Sequence, residues 1–515
     1  TRQDFTLNRL DYETNFRQRK LQFFVAHMYS PLRVRGLLPD QEGTDSPATL
    51  WHERGFRASA NSVLGRAVYF PSSKLIVSVY GGRNFTNFTN SYGLQKGPSI
   101  IYLTSNVGQP GVPRSMQASA GEFTPDNFQT KYDAYVRENL NADASYFANF
   151  RGFHYLKFGY QVARVANNVF ANTWPDGRFL VAWNRRWPGV TKPGFLAGGY
   201  GFYIEDQFET SGKVKSASHA LYFQDDWQVR KNLVLNLGVR TENEYVPSYR
   251  AGDSAKPVIS FGFADKIAPR LGFAYDPSGV GKEKVSGSYS VVYDLLKYNL
   301  PRGSLGGDKW VRCYYALDDP DVFKLAGSRR TPFECLNFRV PSNDSIDPAL
   351  KPMQQRMLTL GYERSFGRNL VVSVYGVNKY LVTAVEDIGR LVVRNGVLEE
   401  DYCIGNPGWG CSIDPSRYPS GYPSPITPKA KRNYQAIEIK VEKKSATHLL
   451  SASYTLSRLC GNYSGLASSD ERGRINPNTN RDFDNPVTTR DKDARLVDGC
   501  LATDSPHVFK VFGYK

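Results

Sequence analysis

No apolar run in this 515-residue chain approaches the ~18 residues that a membrane-spanning helix needs, so the chain does not cross a bilayer by helices. Histidine is scarce: His27, His52, His154, His219, His448 and His507 are dispersed, and none sits in a Ser or Cys motif. GxSxG, HExxH and phosphate-loop patterns are missing, which removes the usual hydrolase, zinc-protease and nucleotide-binding signatures. The chain reads as a non-enzyme. It has no linker, no low-complexity stretch and no repeat longer than a hairpin, so residues 1–515 read as one domain. Lys and Arg exceed Asp and Glu by 16. They form neither a basic helix nor a stripe, and no nucleic-acid motif accompanies them, so nucleic acid is not expected as a partner.

What the chain does contain is alternation. From His219 to Tyr245, Leu233, Leu235, Leu237 and Val239 alternate with Val234, Asn236, Gly238 and Arg240, the period of two that gives a strand one apolar and one polar face. The preceding Leu221–Trp227 stretch makes the other arm of a hairpin. The same grammar returns over 268–294, 357–380 and 434–459. Earlier candidates are 4–12 with 19–29, 57–83 turning at Pro71–Lys74, 132–150 with 154–166, and strands at 179–184 and 199–208. Residues 84–126 read as one broken strand at 99–103 with loop elsewhere. Long irregular segments are expected at 246–266, 295–352, 381–432 and 461–505.

Short turns alternating with long loops predict an all-β fold, an antiparallel up-and-down transmembrane β-barrel of about fourteen to sixteen strands, each needing ~9–11 residues to cross. A mean hydropathy of −0.45 agrees, because only alternate strand residues of a barrel need be apolar. Aromatic residues, 30 Phe, 32 Tyr and 7 Trp, suit girdles at two lipid interfaces. A propeller is the competing fold, but its blades would not leave a loop as long as 295–352.

The strings YFQDDWQVRKNLVLNLGVR (222–240), APRLGFAYDPSGVGK (268–282), NYQAIEIKVEKK followed by LLSASYTLSR (433–458), and NPNTNRDFD followed by DSPHVFK (476–510) resemble the barrel of TonB-dependent outer-membrane receptors, in particular the Oar-like branch. LKFGYQVARVANNVF (156–170) and DGRFLVAWNR (176–185) fit the same branch. The resemblance implies a bacterial outer-membrane location, short periplasmic turns, long extracellular loops and a twenty-two-stranded barrel of the plugged kind. It also implies transport of a large substrate, driven by a TonB-type coupling protein acting through a plug. No signal segment or plug is recognised here, and the chain is expected to be a fragment of that barrel. A surface adhesin or structural barrel acting through its loops is the alternative.

Cys313, Cys335, Cys403, Cys411, Cys460 and Cys500 fall inside or at the edge of three long loops, two to each. Their spacings fit no zinc pattern, and an oxidising compartment favours disulfides. Sequential pairing is expected among 15 possible connectivities. The positive charge has two readings: a solvated lumen and rim beside anionic headgroups, or a lumen favouring anionic cargo through Arg240, Arg270 and Lys440, with Asn236 also facing inward. Asp225 and Asp226 read as a solvated pair at the turn end. In Asn476, Asn478, Asn480, Asp482 and Asp484 every second side chain ends in oxygen, as a calcium site wants. Ordinary loop-forming by Asn and Asp is the competing reading.

Overall fold

The computed structural model describes all residues except 37–53, 93–96, 190–193, 195, 251–256, 327–329, 340–344, 368, 395–396, 414–426, 464, 466–482 and 484–496. Fifteen strands follow in chain order, each antiparallel to the next: Thr6–Phe16, Arg19–Arg35, Gly55–Ser72, Leu75–Tyr92, Tyr132–Asn149, Phe153–Ala171, Gly201–Arg230, Leu233–Glu242, Ala268–Tyr275, Glu283–Tyr293, Gln354–Phe366, Leu370–Thr383, Arg432–Lys444, Leu449–Gly461 and His507–Tyr514. This is the wall that the alternation predicts. Seven further segments bring the sheet to 22 strands, so that number is not a count of crossings. Among the described residues the wall is open, with Thr6–Phe16 and His507–Tyr514 each paired on one side.

The turns at one end are tight. Arg17 and Gln18 have φ of 50° and 63°, the positive pair that lets a two-residue turn follow the twist of its strands. Register fixes the faces. Leu221, Phe223, Val239, Phe158 and Tyr160 share one face, while Tyr222, Arg240, Lys157 and Gln161 share the other. Asp225 and Asp226 are adjacent on a strand and therefore point to opposite faces. Asp225 is buried on the apolar face against His154 (2.8 Å), whose ring stacks on Trp227, and Asp226 accepts from Asn236 on the polar face (2.7 Å). The expected solvated pair is therefore corrected.

The other end is a folded layer, which also corrects the expectation of irregular loops. Residues 246–266 hold most of a hairpin, Glu244–Pro247 with Pro257–Phe261; 295–352 hold a short helix, Asn299–Ser304, and the paired strands Asp308–Leu317 and Glu334–Arg339. Residues 381–432 hold the hairpin Glu386–Arg394 with Val397–Gly405. Nor are all strands antiparallel, since Arg178–Trp183 runs parallel to Ser99–Tyr102 and Ser345–Ile346 parallel to 403–404. The separate strands expected before and after residue 209 are one, Gly201–Arg230. At 30 residues it is far longer than a crossing needs. Its second part pairs within the wall, and its first ten residues rise into the layer against Asp308–Leu317. Gly212 lies just beyond that point with φ of 146°, where a Cβ would come within 2.8 Å of the Tyr249 ring.

The two largest buried clusters lie in the layer. Ile100, Tyr102, Phe179, Val181, Trp183 and Tyr203 form one, and Val246, Phe261, Leu300, Leu305, Ile388 and Ile404 belong to the other.

Candidate functional site

Polar strand residues that alternate with lipid-type ones have to be satisfied by each other or by water, and on the polar face they satisfy each other. In mid-wall, Asp143 accepts from Tyr222 (2.7 Å), from Ser78 and from Lys157 Nζ (3.2 Å). Gly159 makes this possible, because a Cβ there would collide with the Tyr222 ring. Nearer the loop end, Arg240 donates to Gln161 and to Glu242, both at 2.9 Å. Glu242 also receives Lys266 Nζ (3.1 Å), which reaches Glu244 at 2.8 Å, and Glu244 accepts the Leu296 amide at 2.5 Å. The chain of alternating charge thus climbs from the wall into the loop layer.

Lys266 is fully buried, a placement that costs several kcal/mol unless the charge is paired, and two carboxylates pair it. Burial pushes the Glu244 carboxyl above its ordinary pKa, and Lys266 pulls it back.

At the mouth, loop residues lie on the same face. Arg302 Nη1 donates to Asp133 (2.9 Å) and Tyr135 (3.3 Å), and Tyr249 donates to Asn167 (2.6 Å), which donates to Asp133 (2.9 Å). The Tyr298 hydroxyl donates to the Val165 carbonyl (2.9 Å) and accepts from Ser216 (2.5 Å). Burial pushes its pKa up to about 12, so it stays a donor at any physiological pH. A cleft of about 500 Å³ remains between 295–298 and the wall, lined by Tyr135, Arg137, Ser216, Ser218, Tyr245 and Lys297 among others.

Of the residues singled out from sequence, Asn236, Arg240 and Arg270 line one shallow groove of about 590 Å³ on the polar face. Lys440 occupies the same face but four strands away, against Glu442 (3.0 Å). Arg240 and Lys440 are each neutralised by a carboxylate, whereas Arg270 has none among the described residues. Asp143, Lys157, Glu242, Glu244, Lys266 and Arg302 were not singled out. The signal for Asp143 was present, since Asn139, Asn141, Asp143 and Ser145 alternate with Leu140, Ala142 and Ala144.

Cys313–Cys335 and Cys403–Cys411 are disulfides. The first joins two paired strands rather than closing an irregular loop. Cys460 and Cys500, the expected third pair, face each other across paired strands with sulfurs 2.7 Å apart, nearer than two thiols pack. Asn476, Asn478, Asn480, Asp482 and Asp484, the calcium expectation, lie outside the described residues.

A meandering antiparallel wall with one continuous apolar face, exposed on every strand pair, defines the class: a β-barrel protein of the outer-membrane type. Residues 1–501 match the family model for the outer membrane beta barrel domain. The chain belongs to that family, and the bacterial outer membrane is its location. It is 25% identical over 412 residues to the TonB-dependent transporter Oar of Myxococcus xanthus, a match covering 74% of this chain and 36% of that protein. The chain therefore spans about a third of its curated relative. Among solved structures, the siderophore receptor PirA from Acinetobacter baumannii is 10% identical with a TM-score of 0.47, over 89% of this chain and 55% of that one. The pyoverdine receptor FpvA from Pseudomonas aeruginosa is 12% identical with a TM-score of 0.46, over 89% and 54%.

Proposed function

We propose that the chain forms wall and loop layer of a TonB-dependent outer-membrane transporter that moves a large substrate along its polar face. The turn end faces the periplasm and the loop end the exterior. Energy arrives from a TonB-type partner through a plug elsewhere in the full protein, and the polar side chains bind and guide without making or breaking bonds. The observation that carries this reading is the succession of polar groups up this face, from Asp143 and Tyr222 in mid-wall to the linked Arg240, Glu242, Lys266 and Glu244 at the loop end. The transporter similarity to Oar supports it.

A surface adhesin is the second reading, favoured by the disulfide-tied, densely packed loop layer, which suits a fixed binding surface. The two separate in cells carrying the full gene with its TonB-contacting segment deleted. Comparative profiling of medium and periplasm should show at least one large solute that redistributes only with the intact gene. Unchanged solute distribution together with retained cell adhesion would establish the adhesin instead.

A further inference from the structure

The apolar face changes character across four neighbouring strands, Gln354–Phe366, Leu370–Thr383, Arg432–Lys444 and Leu449–Gly461. Their register sets side chains in rows. Tyr362, Val374, Ile439 and Tyr454 share one row, and Leu360, Gly376, Ile437 and Leu456 share the next toward the loop end. The row after that is Leu358, Asn378, Gln435 and Arg458. Hydrocarbon gives way to amides and a guanidinium within one step.

A groove of about 740 Å³ straddles that step. Gly376 creates it, because a Cβ there would meet nothing nearer than the Leu360 carbonyl oxygen at 4.0 Å. Gly287 on the same face is by contrast roofed by Phe273. At the groove's loop end, Arg458 Nε rests on Cys460 Sγ (3.0 Å) and has no carboxylate partner among the described residues. Asp504 also lines the groove, but its Oδ1 is engaged by the Leu459 amide at 2.7 Å. One row further, Arg356 shares the face and has a buried Nε without a partner among the described residues.

We propose that this groove seats an acyl chain of an outer-leaflet lipid whose phosphorylated headgroup is held by Arg458 and Arg356, with Asn378 and Gln435 as amide partners. The complementarity is direct. An acyl chain fills the hollow over Gly376 between Leu360, Ile437 and Leu456, and guanidinium groups suit phosphate oxygens through charge-assisted, often bidentate bonds. The assignment of the leaflet rests on the membrane orientation given above, while the binding itself does not depend on transport.

The test uses the full protein in a nonionic detergent, with native mass spectrometry and phosphatidic acid as probe. A retained one-to-one complex is expected, displaced by neither diacylglycerol nor inorganic phosphate. Gly376→Leu fills the hollow, and Arg356→Gln with Arg458→Gln removes the charge; each should weaken retention roughly tenfold or more while gel mobility of the folded barrel is unchanged. Equal retention by both variants, or equal competition by diacylglycerol, overturns the proposal as ordinary lipid contact. Displacement by phosphate alone overturns it in favour of a free-anion site. Phosphatidic acid retained by a protein that moves no solute would sink the transport reading and leave this one standing.

Discussion

Leu360 in the wall is 57% exposed and Trp183 in the loop layer 1%, yet both are large apolar residues on strands of one continuous sheet. In water the first arrangement is costly, since each such side chain gains about 1.5–3 kcal/mol on burial. The wall exposes a whole face of them because its apolar solvent is lipid. The layer above it stands in water and has to make its own interior, which it does with Tyr102, Phe179, Trp183 and Tyr203 around one centre and Phe261, Leu300 and Ile404 around another. The strand Gly201–Arg230 passes from one regime to the other, and the Lys266 ladder is the seam between them.

That contrast breaks most sharply in the layer. Trp183→Ala removes the centre of a buried cluster and should cost about 3–5 kcal/mol locally. Hydrogen exchange should then rise over 99–102, 178–183 and 308–317 while the wall strands keep their protection; a uniform rise would mean that layer and wall fold as one unit.

The complementary change is Ile439→Arg, in the middle of the apolar face. It should cost about 2–4 kcal/mol of membrane stability, as lipid-facing arginines do near the midplane. Urea titration of folding into vesicles measures it, and a wild-type midpoint would show that this face does not meet lipid.

The seam should give the smallest effect. Lys266→Met leaves Glu244 buried without its cation, though Glu242 keeps Arg240 and Glu244 can take up a proton, so about 1–3 kcal/mol is expected at neutral pH. Burial already raises the Glu244 pKa, and losing Lys266 raises it further. A carboxyl raised on folding favours the folded state below its unfolded pKa and loses that contribution as pH rises through the folded value. The deficit of the variant should therefore grow with pH above about 4.5 and be small at pH 4. A deficit independent of pH would remove Glu244 from the account.

Much of the wall was legible in the chain because side-chain period and backbone period coincide in a strand. Hairpins at 219–245, 268–294, 357–380 and 434–459 stand where alternation and short turns put them. The layer was not legible. Its strands are short, several are buried on both sides, as Phe179–Trp183 is, and such runs lack alternation. Segments such as Pro257–Phe261 and Val397–Gly405 pair only within the layer, so their place depends on partners and not on local pattern.

The cysteines divide in the same way. Oxidising surroundings and even number point to disulfides, but only register shows that Cys313 faces Cys335 across paired strands and that Cys460 faces Cys500. Charge is the last case. Arg240, Arg270 and Lys440 look equivalent in sequence, and the structure neutralises two of them with Glu242 and Glu442.

By itself, the sequence determined an all-β chain with alternating faces, tight turns at one end and long connections at the other, because the strand period of two is written residue by residue. Tertiary structure alone decided which carboxylate meets which cation, how the long connections pack into a second core, and that Gly376 lies uncovered where the apolar face meets Arg458. Those features depend on register between strands distant in sequence, and no local pattern encodes register across the segments that separate them.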